Sequence, residues 1–397
     1  MATSDQFDGI VCIGGEDWWY HNRGHFDFQI MRRLAEQWPV LFVNSLGVRV
    51  PSVGEGAKFI AKIGRKLKSL RHGLVHIENR FWVFSAVAVP GAAGLALSSW
   101  ALGPQIRMAA ARAGIRRPLV WMHCPAGVAI IDQLPSAGII LQRTDRFEAF
   151  PEADGDLLAR QIATLKARAD LVVYCAPHLM HEEAGTVRRQ LLVTHGADVA
   201  TFASAGAESK DPADVAHLPH PRVGFVGGID AHTFDPALLV ETARRLPDHA
   251  FVLVGGCSLP AGWCPLPNVH LLGRKPYEEV ARYMASADVL IMPWNDSDWI
   301  RACNPIKLKE YIATGRPVVT TDFPALDGWR DLVTVAAGPD AFAAAIRAAA
   351  SGVRADRAPI AARLATETWA AKSDLIKAEV AALGLAFTGA TATIAAA

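Results

Sequence analysis

An α/β architecture with two parallel-sheet domains is what this 397-residue sequence predicts, and three observations predict it. The chain exceeds the roughly 250 to 300 residues at which a single core stops growing. Short Val/Ile/Leu-rich runs alternate with helical stretches from end to end, the pattern of strands covered by helices on both faces. Those runs form two series, separated near 203–218 by a polar stretch rich in Ala, Gly, Ser and Asp.

The first series is GIVCIGG (9–15), PVLFVNS (39–45), the region 74–85, PLVWMHC (118–124), GIILQRTD (138–145), DLVVYCA (170–176) and QLLVTHG (190–196). The second is RVGFVGG (222–228), a helix near 235–246, then AFVLVGG (250–256), NVHLLG (268–273), DVLIMPW (288–294), RPVVTT (316–321) and DLVTVA (331–336). A last amphipathic helix is expected over 366–383, with Trp369, Leu375, Ile376, Val380 and Leu383 on its apolar stripe. Two Rossmann-like halves place a ligand at the carboxyl ends of the strands, so chemistry is sought in the residues just after each run.

The net charge of +1 gives no overall attraction to nucleic acid. The six cysteines are scattered without C-x-x-C spacing, which argues against a zinc ribbon, a redox motif or a disulfide scaffold and suits reduced thiols. MATSDQFDG lacks the layout of a signal peptide, and the longest apolar run, 83–103, is interrupted by Pro90, Gly91, Gly94 and Gly103. A cytoplasmic protein without a spanning helix is expected.

NPIKLKEYIATGRPVV (304–319) is the densest motif. Asn304 reads as an N-cap, Pro305 as the first helical residue and Gly315 as the stop. Leu308, Tyr311 and Ile312 share one face; Lys307, Glu310 and Thr314 share another. A lysine beside the exposed N–H groups of a helix start suits a phosphate, and a carboxylate one turn on suits the paired hydroxyls of a ribose. The competing reading is an ordinary surface Lys/Glu pair. In GFVGGID (224–230), Gly227 and Gly228 let backbone approach a phosphate or simply make a tight turn. Arg274 and Lys275 follow another strand, facing base or phosphate, or solvent.

In GGEDWWYHNRGHFDF (14–28), Gly14 and Gly15 follow the first strand, but the spacing is not G-x-G-x-x-G, so a dinucleotide is poorly supported. Trp18, Trp19, Tyr20, His21 and His25 suit a sugar or acceptor headgroup and are too dense to be wholly buried. AKFIAKIGRKLKSLRHG (57–73) sets Phe59, Ile60, Ile63, Leu67 and Leu70 against six cations with no acid. Such a helix either lies in an anionic membrane surface or docks on its own domain. DSD at 296–298 reads as loop, and with no D-x-D at a strand exit no metal is expected.

Four blocks in register resemble the retaining GT-B glycosyltransferases of the family-four type, in the branch similar to teichuronic-acid and polysaccharide enzymes. They are ADLVVYCAPHLM with THGADVATF, RVGFVGGIDAHTFDPALLVETARRLPDHAFVLVGG, NVHLLGRKPYEEVARYMASADVLIMPW, and NPIKLKEYIATGRPVVTT. The resemblance implies a GT-B fold of two Rossmann-like domains facing a central cleft. Its expected bounds are an acceptor domain at 1–205, a linker at 206–220 and a nucleotide-sugar domain at 221–365. A helix at 366–385 returns to the first domain, and 386–397 is a loose tail. It implies that Glu310, at the second glutamate of E-x7-E, holds the ribose, and that Lys307 and the amides around Asn304 face the diphosphate. The first motif glutamate is replaced by Ala302, leaving Arg301, Asn304 or backbone amides to hold the donor sugar.

By the same resemblance, Gly227 and Gly228 join the donor set, while His123 and Asp145, each closing a strand, stand near the reacting sugar; Gly15 and Arg274 are added to the donor set by their position just after strands. The implied activity is metal-independent, retaining transfer of a sugar from a UDP-, GDP- or dTDP-sugar to an acceptor hydroxyl. That acceptor is a glycan, a lipid-linked or cell-envelope glycan or a small molecule, and no separate cofactor is required. A sugar-nucleotide epimerase, a nicotinamide-dependent enzyme and an inactive structural paralogue are the alternatives.

Overall fold

The computed structural model describes residues 6–20, 24–46, 64, 68–87, 92–149, 154–207, 211–352 and 357–388. The chain divides into two compact units, one of Met1–Thr194 with Lys372–Ala397 and one of His195–Ala371.

The first unit begins with β1 (Gln6–Phe7), β2 (Gly9–Ile13), β3 (Val40–Val43), β4 (Leu74–Glu78) and β5 (Phe81–Phe84). It continues with β6 (Pro118–Met122), β7 (Gly138–Arg143), β8 (Leu171–Tyr174) and β9 (Gln190–Leu192). Eight of these make one sheet in the order β4-β5-β3-β2-β6-β7-β8-β9, parallel throughout apart from the β4–β5 hairpin. Every residue of β2, β3, β6, β7 and β8 is buried, as continuous apolar runs covered on both faces require. The strand order changes direction between β2 and β6, so ligand-facing loops are expected after those two strands.

The second unit holds β10 (Arg222–Val226), β11 (Ala250–Val254), β12 (Val269–Gly273), β13 (Val289–Met292), β14 (Val318–Thr320) and β15 (Thr334–Val335). They form an all-parallel sheet in the order β12-β11-β10-β13-β14-β15, with its switch point between β10 and β13.

Three expectations from the sequence are corrected. The first concerns the stretch 206–220, which is not a free linker. Val215 and Leu218 join Phe202 and Ala205 in the core of the second unit, and Arg222 donates to Asp211 (2.5 Å) and to the Leu218 carbonyl (2.7 Å). Two apolar residues in an otherwise polar stretch, Val215 and Leu218, are enough to dock it against the helix that carries Phe202 and Ala205. The second concerns the tail, of which residues 386–388 are ordered. Here β16 (Ala386–Phe387) pairs in parallel with β1, the Thr388 N–H donates to the Phe7 carbonyl (2.9 Å), and the Phe7 and Phe387 rings lie 5.7 Å apart. Residues 389–397 lie outside the described ones. The third is Leu375, which is exposed rather than on the buried stripe of helix Trp369–Ala382, where Ile376 and Val380 are buried.

The division between the units falls inside that helix and at Thr194, so the second unit is entered and left at neighbouring points. Ala197 bridges Thr368, the Ala197 N–H donates to the Glu367 carbonyl (2.8 Å), and Trp369 packs against Gly196 where a Cβ would come within 2.7 Å of its ring. Lys309, which is 2 % exposed, ties both ends to the sheet-covering helix Ile306–Thr314 by donating to the His195 carbonyl and pairing with Glu367. Among the described residues no helix is long and apolar enough to cross a membrane.

Candidate functional site

At the switch point of the second unit, the β10, β11 and β12 exits are laced together. The Gly227 N–H donates to the Val254 carbonyl, the Ile229 N–H to Gly256 and the Gly255 N–H to Gly273, each at 2.9 Å. Gly255 takes φ +151°, and a Cβ there would lie 1.7 Å from the Gly227 carbonyl oxygen. Gly228 leaves room for the Asp230 carboxylate, which folds back to accept the N–H groups of His232 and Thr233 (2.9 Å each). Gly227 has its N–H committed to the sheet, and Gly228 is the next amide along this loop.

Helix Ile306–Thr314 is set against this turn. Leu308, Tyr311 and Ile312 enter the core, and the Tyr311 hydroxyl accepts the Val226 N–H at 2.7 Å, fixing the helix to the end of β10. Burying three such side chains is worth about 2 kcal/mol each. That register places the Lys307 Cε 3.2 Å from the Cβ position of Gly227. Gly315 ends the helix in the left-handed conformation, as its sequence predicts. The start differs from the expectation: Pro305 is the N-cap residue and Asn304 makes no cap, because the extended Pro305 already diverts the chain.

Glu310 is 4 % exposed, which removes the surface-pair reading. Burial pushes its carboxyl up to about 7; the Lys307 charge and the Tyr277 hydroxyl, which donates at 3.4 Å, act to lower it, and Asp198 acts to raise it. A buried carboxylate that among the described residues has one long hydrogen bond and a nearby ammonium is under-solvated, and donors from a ligand would complete its shell. Arg274 lies over Gly256, its Nε 2.7 Å from the Cβ position there. Neighbouring Lys275 is committed elsewhere, pairing with Asp214 (2.5 Å). Arg301 lies on the short helix Asp298–Ala302, paired with Asp296 (2.7 Å) and Asp298 (3.1 Å). These two acids of the DSD stretch therefore serve Arg301, and the second of them begins a helix rather than lying in loop.

In the first unit, Gly15 after β2 and His123 after β6 meet at the switch point. A Cβ on Gly15 would fall 2.7 Å from the imidazole, so only glycine admits the ring. His123 Nδ1 donates to Asp27 Oδ2 (2.9 Å), and its Nε2 meets the Thr144 hydroxyl (3.1 Å). Burial alone would lower the His123 pKa, but the Asp27 charge and hydrogen bond, with Glu16 and Asp145 further off, hold it above the ordinary 6.5. Burial also raises the Asp145 carboxyl, against His123, Thr144 and Arg143. Arg143 is itself buried, donating to the Asp145 carbonyl (3.2 Å) and to Glu148 (2.9 Å) and Glu183 (2.6 Å), so it fixes the loop that carries Thr144 and Asp145.

Asp27→Asn is expected to bring the His123 pKa down below 6.5, read by NMR titration of the imidazole. The sign follows from linkage. A histidine raised in the folded state adds stability that is complete below its unfolded pKa and is lost as pH rises through the folded one. An unchanged titration would show that Asp27 does not set the charge of the ring.

No local sequence signal singles out Asp27, Thr144, Tyr277, Gly255 or Lys309, whose partners lie on other elements. Of the aromatic cluster, Trp18 is core (2 % exposed), Trp19 and Tyr20 are half-buried and His25 is exposed; His21 lies outside the described residues. Most of the basic stretch 57–73, namely 57–63 and 65–67, also lies outside them.

The two sheets with these strand orders define a GT-B fold of two Rossmann-like domains. Solved structures agree over nearly the whole chain. Sucrose-phosphate synthase from Thermosynechococcus elongatus matches with TM-score 0.61 at 16 % identity, over 95 % of this chain and 96 % of that one. Trehalose 6-phosphate synthase from Burkholderia multivorans matches with 0.60 at 12 %, over 95 % and 99 %. HepE of Anabaena, solved in complex with UDP-glucose, matches with 0.57 at 13 %, over 95 % and 97 %.

More particularly, residues 220–351 match the family described as Glycosyl transferases group 1. A stretch of 168 residues, 40 % of this chain, is 32 % identical to the putative teichuronic acid biosynthesis glycosyltransferase TuaH of Bacillus subtilis (strain 168). The chain spans 42 % of the length of that relative.

Proposed function

We propose that this protein is a glycosyltransferase that moves a sugar from a nucleoside-diphosphate sugar to an acceptor hydroxyl. The observation that carries the reading is the buried Glu310 one helical turn from Lys307, with Lys307 set against the Gly227–Gly228 turn. In this reading Glu310 accepts from the ribose hydroxyls, and Lys307 with the Gly228 amide takes the diphosphate. The leaving diphosphate is the group that gains charge in the transition state, and a cation with an oriented amide stabilises it there. Arg274 and the amides around Asn304 complete the donor set, with Arg301 close in sequence. The reaction is assigned as retaining and independent of metal, with UDP-, GDP- or dTDP-sugar as donor. The first unit takes the acceptor, with His123 and Asp145 as its polar groups after β6 and β7.

The relatives support the choice of substrate class. HepE was solved with UDP-glucose, and TuaH is described by teichuronic acid biosynthesis, so a glycan or lipid-linked cell-envelope acceptor is proposed at the cytoplasmic face of the membrane. The basic stretch 57–73 is proposed to contribute to that attachment. A thermal-shift panel of UDP, GDP and dTDP, each with and without glucose, is expected to raise Tm for one base. The same ligand is expected to give no shift with Glu310→Ala. A shift retained in that variant would refute the ribose assignment, and turnover of donor alone to an isomer would replace transfer with epimerisation.

A further inference from the structure

Helix Ala92–Arg112 of the first unit presents an outward stripe that the donor reading does not use. At 100° per residue Trp100, Pro104, Arg107, Met108 and Ala111 lie within about 100° of arc, with Arg112 at its edge. All six are exposed, Trp100 by 76 % and Met108 by 51 %, while Leu102, Ile106, Ala109 and Ala110 on the opposite side are buried. Val87, 60 % exposed, joins the patch because the Gln105 side chain holds its N–H (3.0 Å) and its carbonyl (3.2 Å). Six large apolar residues are exposed among the described ones, and three of them meet here.

The stripe itself carries charge of one sign, and the exposed Asp132 beside Gln133 is paired with Arg168 (2.5 Å). The helix AAGLALSSWALGPQIRMAAAR contains no acid. Arg107 and Arg112 flank the stripe, Arg107 donating to the Gln133 carbonyl, and Arg116 follows the helix end. Asp8, the acid nearest in the hydrogen-bond network, accepts the backbone N–H groups of Arg116 and Arg117 (2.9 and 2.8 Å). Beside the stripe a recess of about 260 Å³ opens between Ile106, Ala110, Leu134 and Pro135, with Arg107 and Arg116 among its lining.

We infer that this face docks on an anionic lipid surface. A tryptophan and a methionine project into the headgroup and acyl boundary, the recess accepts apolar chain, and the arginines meet lipid phosphate. A folded protein partner would need acids facing all of these arginines and a pocket for Trp100. A bilayer supplies a negative plane with an apolar layer directly beneath it, which matches a tryptophan stripe bracketed by cations. The inference is independent of the donor site and of the stretch 57–73, and it adds a second contact to the membrane attachment proposed above.

Co-flotation of the full chain with vesicles tests it, comparing phosphatidylcholine alone with phosphatidylcholine mixed with phosphatidylglycerol. The protein is expected to float with the anionic vesicles only, and less at high salt. Trp100→Ser with Met108→Ser is expected to lower binding about tenfold. Arg112→Gln with Arg116→Gln is expected to lower it about fivefold per charge removed. All four side chains are exposed, so Tm and the nucleotide-dependent Tm shift are expected to stay as in the wild type; this keeps failure here distinct from failure of the donor reading. Absence of flotation, or equal flotation of wild type and both double variants, would overturn the inference. So would a concentration-dependent dimer that Trp100→Ser abolishes, since the occupant would then be a second copy of the chain.

Discussion

Glu310→Gln is expected to make the protein more stable above neutral pH while stripping it of nucleotide affinity. The unfolded carboxyl ionises near 4.5, but in the folded protein burial holds it up to about 7, a difference equivalent to about 3 kcal/mol. The sign is that of a raised acid. The folded state binds the proton more tightly, so stability is undiminished below the unfolded pKa, falls between the two values and is reduced by the full amount above the folded one. Glutamine keeps the shape and still accepts from Tyr277 without a charge to bury. Urea unfolding at about pH 8 should therefore favour the variant by a few kcal/mol, and at about pH 4 the two proteins should converge. Losing a charged acceptor for ribose hydroxyls should weaken nucleoside diphosphate binding roughly tenfold to a hundredfold. Equal stabilities at both pH values would mean that Glu310 is not held in a poor environment, and retained affinity would remove it from the ligand.

Gly255→Ala is expected to be the most damaging small substitution in the second unit. Its φ of +151° disfavours any side chain, and the added Cβ would sit 1.7 Å from the Gly227 carbonyl oxygen, so the turn that presents Gly228 must move. A loss on the order of 3 kcal/mol is expected, with nucleotide affinity falling alongside it. Gly262→Ala separates space from backbone strain. That glycine has φ +77° but no atom within 4 Å of the added Cβ. Its cost should stay near 1 kcal/mol without any change in affinity. If the two substitutions cost the same in thermal or urea unfolding, the close approach of Gly227 is not what Gly255 provides.

The strand framework was largely legible because parallel sheets leave a strong local trace. Runs such as GIVCIGG and AFVLVGG are apolar throughout, and glycine punctuates their exits. Helix 306–314 was legible for the same reason, with Gly315 and Pro317 marking its end. What escaped depends on distance in space. Asp27 is one acid in an ordinary first turn, and nothing in GHFDF says that it meets a histidine 96 residues later. Asn304 looks like a cap by residue type, yet the extended Pro305 takes that place. Val215 and Leu218 are two apolar residues in a polar stretch, too few for a periodic signal and enough to dock it. Tyr277 and Lys309 act through partners on other elements, and their neighbours in sequence give no hint of it.

Lys309 and the short bridge between Ala197 and Thr368 bear on how such a protein could be assembled and cut. Counted along the chain, His195–Ala371 is an insert within a continuous host made of the residues before and after it. An insert whose two ends are already fastened to one another does not need its host to close the loop, which is the arrangement that tolerates excision and circular permutation. Expressed alone, residues 195–371 should unfold cooperatively and bind the same nucleoside diphosphate as the whole protein, measured by calorimetry. Lys309→Met in that fragment should cost roughly 2 to 3 kcal/mol, because the buried ammonium that joins the His195 carbonyl to Glu367 is removed. The helix that is read as gripping the donor is thus also the clasp of the module, so a new host could acquire nucleotide binding by receiving this one closed segment.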